Sequence, residues 1–447
     1  MPSSSNVATN ADHAAHAKRR DKLIRELRDG TGGHVIGLNK STSNLFRPRT
    51  ETAKRRIDVS EFDHVLSVDP HSLTAEVEGM TTYEELVDAA LGHNLLPTVV
   101  PELKTITIGG AVSGLGIESS SFKYGLVHET VEELEVLLGD GNVVKCSPAG
   151  NSDLYYGFPN SYGTLGYVLK LKVRLIPIKK YVRLVHRGFS DIGRLFAELA
   201  STCSERHFDY VDGVVFSRGE AYIVTGEFTD SAPYTSDYTY TGIYYRSIRQ
   251  REIDYLTTKD YIWRWDTDWF WCSKVFHMQN PLVRVVLGKG LLNSRTYQRI
   301  MRLSRKLPLK SKTESVIQDV DIPIEHAPEF LDFLLREIGI LPIWLCPFKT
   351  YDPNALYTLC PVDPHKLYVN FGFWEMLPSA GADGFYNRKI ERMALHLHGV
   401  KGLYSTSYYD QETFWNIYDR PGYLALKKKY DPNGRFRDLY EKTVLKM

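Results

Sequence analysis

The sequence has few cysteines and no cysteine pair at a metal-binding or redox spacing. Only five of its 447 residues are cysteine, and no CxxC motif occurs. The odd number and wide spacing disfavour a disulfide framework and a zinc site, and they favour free thiols in a reducing compartment. We therefore predict no metal centre. The five positions are Cys146, Cys203, Cys272, Cys346 and Cys360.

Long apolar runs are also missing. No stretch approaches the ~18 consecutive apolar residues of a membrane span, and the first residues, MPSSSNVATNADHAAHAKRRDKL, lack the apolar core of a signal peptide. A net charge of +1 gives no reason to expect nucleic acid as a partner. These absences predict a cytoplasmic protein that can still touch a membrane surface. They leave its oligomeric state open.

The first 180 residues alternate strands with one clear helix. Segments 63–69 and 73–78 alternate apolar and polar residues around a Pro-His-Ser turn, which predicts a hairpin. The stretch GMTTYEELVDAALGHN has the capping residues of a short amphipathic helix. A second hairpin is expected on Asp140-Gly141, and a strictly alternating strand from Val168 to Ile176. This mixture predicts an α+β fold.

The rest of the chain follows the same mixture. YVDGVVFSRGEAYIVTGEFT predicts two strands around a Ser-Arg-Gly turn, and PIWLCPF and KLYVNFGFW predict buried strands. ESVIQDVDIPIEHAPEFLDFLLREIG predicts a strand followed by a helix that opens near Ala327. The segment from Tyr386 to Met447 is expected to be mostly helical.

Three segments rich in small residues could let a ligand approach the backbone. They are GLNKSTSNLFR (37–47), TIGGAVSGLGIESSSFKYG (107–125) and GTLG (163–166). Glycine admits a close ligand where a Cβ would block it, and a polar loop with cations can hold a pyrophosphate. Taken singly, each segment is also explained by a surface turn or by close packing. Neither the GxxxxGK[ST] nor the GxGxxG spacing is present, which disfavours a P-loop and a nicotinamide Rossmann domain.

The order of these segments carries a resemblance. With GIESSSFKYGL, NSDLYYGFPNSYGTLGYV, IPIKKYVRL, PIWLCPF and QETFW, the chain from about Val35 to Tyr440 resembles the FAD-binding PCMH-type (vanillyl-alcohol oxidase/p-cresol methylhydroxylase) superfamily. Within it, the sequence is similar to the 24-dehydrocholesterol (delta-24 sterol) reductase family and its bacterial methylene-fatty-acyl reductases. The resemblance implies a two-subdomain PCMH-type FAD-binding domain with an α+β substrate or cap domain.

The implied organisation has four parts. Residues 1–30 are expected to form a flexible tail and short helix, and residues 31–180 the FAD-binding domain. Residues 181–385 would form the substrate or cap domain, and residues 386–447 a helical segment that returns to the flavin. The animal sterol reductases of this family carry an N-terminal membrane anchor that this sequence is expected to lack, which speaks against a sterol substrate.

The resemblance also assigns cofactor residues. The loop at Lys40 and the stretch Ile108 to Gly116 would hold the FAD pyrophosphate through backbone N–H groups, with serine hydroxyls adding contacts and Gly163 to Val168 lining the adenine and ring edge. No His stands in the first loop and no Cys in the second, so the FAD is expected to be noncovalent, with NAD(P)H as reductant. The assigned residues are Lys40, Ser41, Thr42, Ser43, Asn44, Ile108, Gly109, Gly110, Ser113, Gly116, Ser119, Ser120, Ser121, Tyr124, Gly163, Thr164, Gly166 and Val168.

Reduction of an isolated C=C bond requires an acid opposite the flavin. Tyr408 in TSYYDQETFW is the first choice, with Glu412 orienting it, and Glu118 and Asp266 rank below it. A buried structural phenol explains Tyr408 equally well. The expected activity is reduction of a lipid double bond, in a methylene-branched acyl chain or a sterol side chain. Two alternatives stay open: an oxidase or dehydrogenase of a hydroxyl compound, and a noncatalytic lipid-binding protein.

One region combines aromatic residues with an excess of positive charge. YIWRWDTDWFWCSKVF contains Trp263, Trp265, Trp269 and Trp271, and from Trp269 to Thr313 there are ten Lys or Arg and no Asp or Glu. Cations beside aromatic rings suit an anionic membrane surface, and the rings also suit an apolar lipid channel. An amphipathic helix packed on the core, with its cations in water, is the alternative. We predict that the region from Trp263 to Lys312 contacts a membrane.

Overall fold

The structure is a computed structural model that describes residues 10–29, 35–40, 46–47, 55–274, 277–304, 313–378 and 381–447. The strands within these ranges are β1 Ile36–Asn39, β2 Arg55–Asp58, β3 Val65–Asp69, β4 Thr74–Glu78, β5 Leu95–Pro97, β6 Val131–Leu137, β7 Val143–Cys146, β8 Tyr167–Pro177, β9 Tyr181–Phe189, β10 Tyr210–Ser217, β11 Glu220–Thr229, β12 Ile253–Thr257, β13 Thr313–Pro323, β14 Ile343–Lys349, β15 Leu367–Pro378 and β16 Val400–Lys401.

Helices connect and cover these strands. Their bounds are α1 Asn10–Asp29, α2 Tyr83–Leu91, α3 Ile108–Gly114, α4 Ser121–Tyr124, α5 Ser152–Gly157, α6 Ile192–Glu205, α7 Tyr244–Ser247, α8 Thr258–Ile262, α9 Pro281–Leu291, α10 Ser294–Ser304, α11 Ala327–Phe333, α12 Phe385–His396, α13 Gln411–Ile417, α14 Arg420–Tyr430 and α15 Leu439–Thr443. The chain is therefore a mixed α+β protein. Within the described ranges, no helix is both long and apolar enough to cross a lipid bilayer.

The first sheet has the strand order β3-β4-β8-β6-β7, with β5 added on β8, and all of its pairings are antiparallel. The predicted hairpins β3–β4 and β6–β7 are confirmed. The central strand β8 alternates buried and half-buried residues, as its sequence predicts for a strand with one face in the core. Helix α2 begins after Thr82, which forms a capping box with Glu85.

A smaller layer lies beside this sheet. Strands β1 and β2 pair in parallel, and α1 packs on them through a separate apolar cluster that includes Leu23, Leu27, Ile36 and Ile57. The short helix expected within residues 1–30 corresponds to α1.

The second sheet has eight strands in the order β12-β9-β11-β10-β14-β15-β13-β16, again antiparallel throughout. Strands β10, β11, β14 and β15 were all expected from the sequence, and they are confirmed. Helices α6, α11 and α12 contribute Leu195, Leu331 and Ile390 to the apolar layer on one face of the sheet. The opposite face contributes Val214 and Trp344 to a core that continues into the first sheet. This large antiparallel sheet is consistent with a cap domain.

The end of the chain packs against the first 180 residues. Lys429 Nζ lies 2.7 Å from Asp153 Oδ2, and the amide of Ile36 donates to the carbonyl of Arg435 at 2.8 Å. Helix α14 thereby contacts α5, and the segment after it reaches β1. Helices α14 and α15 lie beside the glycine-containing segment that leads into β8, because Lys427 and Lys442 donate to the carbonyls of Thr164 and Gly163.

Candidate active site

The glycine-serine run forms two short helices rather than the extended loop that its composition suggests. Thr107 caps α3 by accepting a hydrogen bond from the amide of Gly110. The amides of Ile108 and Gly109 donate to the carbonyls of Thr81 and Gly79, each at 3.0 Å. Because these amides already have protein acceptors, they are poorer pyrophosphate donors than the resemblance implied.

Close packing explains several glycines of the predicted site. A Cβ on Gly109 would lie 2.7 Å from the carbonyl oxygen of Gly79, and one on Gly166 would lie 2.8 Å from the carbonyl oxygen of Leu137. Gly116 is equally enclosed, since its Cβ would come within 2.8 Å of Val127. Gly109 and Gly166 are therefore small because two backbones meet there, whereas neighbouring side chains enclose Gly116. Gly110 differs, because it is exposed and the only crowding atom near it is its own helix cap.

The accessible face of α3 lies next to a charged and aromatic patch. The amide of Tyr162 donates to the carbonyl of Ser113 at 3.0 Å, and its hydroxyl donates to the carbonyl of Gly114 at 3.3 Å. The Arg47 guanidinium carbon lies 4.8 Å from the centre of the Tyr162 ring. The amide of Phe46 donates to the carbonyl of Tyr404, so the first loop also meets the C-terminal segment here. We call Arg47, Ser113, Gly114 and Tyr162 the α3 patch.

The remaining predicted cofactor residues fall into three groups. Ser41, Thr42, Ser43 and Asn44 lie outside the described residues, whereas Lys40 lies directly after β1. Ser119, Ser120 and Ser121 are buried, and their hydroxyls contact protein groups, such as the carbonyl of Thr98 for Ser120. Half-buried Tyr124 packs on the core. The third group lies at the start of β8, beside the C-terminal segment, and consists of Gly163, Thr164, Gly166 and Val168.

The residues around the α3 patch fit FAD. Arg47 would supply a cation for the pyrophosphate, and exposed Gly110 leaves the backbone accessible. Ser161, next to Tyr162, is fully buried, and its Oγ has no hydrogen-bond partner among the residues that the structure describes. A buried hydroxyl of this kind requires a polar partner, which a bound ligand can provide.

A cluster of buried charges lies where the first domain meets the cap. Arg264, from the loop after α8, donates to Glu118 Oε1 at 2.8 Å and to Asp212 Oδ2 at 3.0 Å. Asp212 stands on β10 and also accepts the indole N–H of Trp344 at 3.1 Å. Ser119 donates to Glu118 at 2.6 Å. All of these charged side chains are buried, so the cluster joins the glycine-serine run directly to the cap sheet.

A third carboxyl completes this acid cluster, which we define as Glu102, Glu118, Asp212 and Arg264. Burial, reinforced by the charge of Glu118, raises the pKa of Glu102 well above its usual range. Burial also acts to raise the pKa of Glu118, but Arg264 and the hydrogen bonds from Glu102 and Ser119 outweigh it and lower that pKa. One guanidinium cannot neutralise three buried carboxylates. The raised pKa favours the protonated form of Glu102, and an interaction with Glu118 contributes to the shifts of both carboxyls.

Comparison with known proteins identifies the family of this chain. A family model described as FAD binding domain matches residues 32–147. The Delta(24)-sterol reductase of Rattus norvegicus is 30% identical over 398 residues, which is 85% of this chain and 75% of the relative. The chain belongs to the Delta(24)-sterol reductase family. The Homo sapiens enzyme is 29% identical over the same shares, and that of Arabidopsis thaliana is 26% identical over 96% of this chain and 84% of the relative. This member of the family is thus an FAD-dependent oxidoreductase.

In this member of the Delta(24)-sterol reductase family, Tyr408 does not have the partner expected from the sequence. Its hydroxyl lies 3.5 Å from Asp383 Oδ1, its amide donates to Glu391, and its ring lies under Arg388. Burial, with the charge of Asp383, raises the pKa of Tyr408 to about 12. Glu412 is exposed in the first turn of α13 and is not among the described partners of Tyr408. The expectation that Glu412 orients Tyr408 is therefore corrected.

Asp266 has a different role from the one considered in the sequence. Its carboxylate accepts the hydroxyl of Ser294 at 2.5 Å and the amide of Lys104 at 3.0 Å. Asp266 is buried, and these bonds hold the start of α10 against the loop before α3. It is a structural anchor for two segments of the family fold.

The tryptophans of the aromatic-basic region are inside the protein. Trp263, Trp265, Trp269 and Trp271 are each no more than 4% exposed. Trp265 and Trp271 pack with Phe270 in the continuous core. These rings are therefore unavailable to a membrane surface, and a membrane contact in this region has to use other residues.

Sequence reasoning missed Glu102, Arg264 and Asp212. Each is a charge flanked by apolar or aromatic residues, as Glu102 is in VVPELKTI and Arg264 in YIWRW. Such isolated charges are a usable signal, because a buried ionisable group must be paired or lose its charge. The sequence does not indicate which of them pair, since Arg264 meets Glu118 across 146 residues of chain.

Proposed function

We propose that this chain reduces a carbon–carbon double bond in a lipid with hydride from NAD(P)H. The observation that carries the proposal is the acid cluster, in which three buried carboxyls share one guanidinium at the junction of the FAD-binding domain and the cap, so that the protonated form of Glu102 is favoured. The similarity to the Delta(24)-sterol reductases extends over both the FAD-binding domain and the cap, which supports the same proposal. The lipid would be a sterol side chain or a methylene-branched acyl chain.

The proposed cofactor contacts are the α3 patch, Gly110 and Ser161, together with Lys40 and the loop 41–44. These residues would hold FAD noncovalently, and the bound cofactor would supply hydride transfer from NAD(P)H to one carbon of the double bond. The neighbouring carbon must receive a proton, so the products are the saturated lipid and NAD(P)+. These contacts would fix the position of the flavin relative to the lipid double bond, and such positioning is a large part of enzymatic rate enhancement.

Glu102 is the proposed proton donor, with Glu118 and Arg264 as positioning residues. A neutral carboxylic acid in a buried site can give up a proton near neutral pH, because its pKa is raised toward the working pH. Glu118 accepts the Glu102 hydrogen bond, and Arg264 fixes Glu118. Once Glu102 has lost its proton, the nearby guanidinium lowers the cost of the new negative charge.

The test uses the purified flavin-loaded protein under anaerobic conditions. NADPH or NADH should bleach the flavin absorbance, and a Δ24-unsaturated sterol or a methylene-branched acyl phospholipid should restore it, with the saturated lipid detected by mass spectrometry. A saturated lipid of the same class is the control and should restore nothing. Reoxidation by neither unsaturated lipid would refute the proposal. Flavin reduction by a hydroxyl compound, with hydrogen peroxide formed in air, would establish the oxidase alternative instead.

A further inference from the structure

Helix α9 buries a charged residue and exposes aliphatic residues, which is the reverse of an ordinary surface helix. Arg284 is 1% exposed, while Leu282, Val285 and Val286 are 76%, 57% and 84% exposed. Residues three and four apart share one face of a helix, so these three aliphatic side chains form one outward stripe. Leu291 at the end of the helix is also exposed, at 49%. We call these four aliphatic residues the α9 face.

Buried polar contacts hold the helix in this orientation. The Arg284 guanidinium donates to Asp268 Oδ1 at 2.7 Å and to the carbonyl of Gly242 at 3.0 Å. The hydroxyl of Tyr240 donates to the carbonyl of Val285 at 3.2 Å. Rotating the helix to hide its aliphatic residues would bring Arg284 to the surface and leave buried Asp268 without its cation, which is strongly unfavourable. The exposure of the α9 face is therefore enforced by the fold.

The charge around the α9 face indicates what covers it. Within the described residues, Lys274 just before the helix and Arg299 on α10 are both exposed. The sequence from Trp269 to Thr313 has ten cations and no carboxylate. An apolar stripe flanked by cations is typical of a helix that lies in the interface of an anionic bilayer.

The small area of the α9 face argues against a second copy as the occupant. Four aliphatic side chains offer on the order of a few hundred Å², below the roughly 800 Å² that each partner buries in a specific interface. Two copies would also bring two cationic segments together. A bilayer has neither restriction, since insertion scales with the apolar area offered and anionic headgroups attract the cations.

We propose that the α9 face docks this protein on an anionic membrane surface. The inference goes beyond the proposed reaction and does not depend on it. The loop from Arg264 to Asp268 links the two sites, because Arg264 holds Glu118 while Asp268 holds α9 through Arg284. Docking would therefore bring the acid cluster side of the cap close to the source of a lipid substrate.

Vesicle co-sedimentation of the flavin-loaded protein tests the proposal. The wild type should bind phosphatidylcholine vesicles that contain phosphatidylglycerol, bind pure phosphatidylcholine more weakly, and lose affinity at high salt. Val286→Asp should lower the partition coefficient by about tenfold or more. The substitution removes an aliphatic group that would enter the bilayer and adds a negative charge that the anionic headgroups repel. The matched control is Leu424→Asp, at an exposed aliphatic position on α14, which should change binding by no more than about twofold.

Two results would overturn the proposal. One is equal vesicle binding by the wild type and Val286→Asp. The other is a wild type that does not bind vesicles but sediments as a dimer which Val286→Asp dissociates, since the occupant would then be a second copy. Flavin absorbance verifies that each variant is folded. Because the assay needs no turnover, a failed reductase assay would leave its result unchanged.

Discussion

Two buried carboxylate clusters in this protein have opposite balances of charge. Around Glu78, one carboxylate meets three basic groups: His16 Nδ1 at 2.7 Å, Arg19 Nη2 at 2.7 Å and His64 Nδ1 at 2.9 Å. Around Arg264, three carboxyls meet one guanidinium. The first cluster joins α1 to the first sheet, and the second joins that domain to the cap.

The ratio of cations to carboxyls determines whether a buried carboxyl in each cluster is ionised or protonated. Burial opposes ionisation of Glu78, but His16, Arg19 and the amide of His64 outweigh it and lower its pKa. In the acid cluster, burial and the charge of Glu118 outweigh the nearby Arg264 and raise the pKa of Glu102, which favours its protonated form. Excess cations thus favour anchoring, whereas excess acids favour proton transfer.

The largest expected effect comes from removing the single cation of the acid cluster. Arg264→Met would leave buried Glu118 and Asp212 without a cation, which should cost about 3–5 kcal/mol in the free energy of unfolding. Urea denaturation at pH 7, monitored by tryptophan fluorescence, measures this loss. Arg249→Met is the matched control, because Arg249 pairs with Glu220 at the surface and should cost no more than about 1 kcal/mol.

The pH dependence of Arg264→Met identifies the cause of the loss. Without the guanidinium, burial raises the folded-state pKa of the two carboxyls above their unfolded values. Their penalty is then present at neutral pH and disappears as the pH falls through those pKa values. The difference in the free energy of unfolding between Arg264→Met and the wild type should therefore become smaller as the pH falls. A gap that stays constant with pH would mean that lost packing, and not unpaired charge, causes it.

A smaller loss is expected from the cation-rich cluster. Glu78→Gln removes the one carboxylate that His16 and Arg19 share, and it should cost about 2–3 kcal/mol, because the partly exposed Arg19 can still reach water. Hydrogen exchange of the α1 amides and urea denaturation both report it. Glu132→Gln, on the same sheet but paired at the surface with Lys172, is the control.

The pH dependence of hydrogen-exchange protection in α1 tests the charge assignment of the cluster around Glu78. Burial lowers the pKa of His16, but hydrogen bonds to Glu135 and Glu78 outweigh it and raise that pKa above 6.5. Its contribution is complete below pH 6.5 and is lost as the pH rises through the folded-state pKa. Glu78 contributes above pH 4.5 and loses that contribution on acidification through its lowered pKa. Glu78→Gln should flatten the profile, and an unchanged profile would contradict the assignment.

Elements with a local pattern could be predicted from the sequence. The Thr82 capping box and the alternation of β8 each lie within a few residues, and both are confirmed. The helix α3 could not be predicted in this way, because four glycines and serines in seven residues disfavour a helix. Its stability comes from the contact of Gly109 with Gly79, thirty residues earlier in the chain.

The candidate site was harder to predict than the fold. The resemblance directed attention to the glycine-serine run, and Glu118 was among the acids considered. Its partners come from three distant segments, at Glu102, Asp212 and Arg264, so no spacing rule relates them. Tyr408 was considered only as a phenol in the stretch TSYYDQETFW, and a single side chain contains no information about which group lies opposite it.

The smallest stability effect, and the sharpest contrast with Glu78, is expected at Glu102. Because Glu102 is already neutral, Glu102→Gln keeps its shape and its donor to Glu118, and unfolding should change by less than about 1 kcal/mol. Its amide cannot release a proton, so lipid-dependent flavin reoxidation should slow by about 10²–10⁴-fold while reduction by NADPH is unchanged. Glu78→Gln should show the reverse, with lower stability and an unchanged rate per flavin-loaded molecule.

Tyr408→Phe serves as the competing variant in the same stopped-flow experiment. If the phenol were the donor, Tyr408→Phe would slow lipid-dependent reoxidation and Glu102→Gln would not. If Glu102→Gln instead lost several kcal/mol and kept its rate, Glu102 would be an ionised structural partner, and the two clusters would not differ in kind. Slow lipid-dependent reoxidation in a Glu102→Gln protein of unchanged stability is explained only if Glu102 donates the proton. A purely structural role for Glu102 would instead lower the free energy of unfolding.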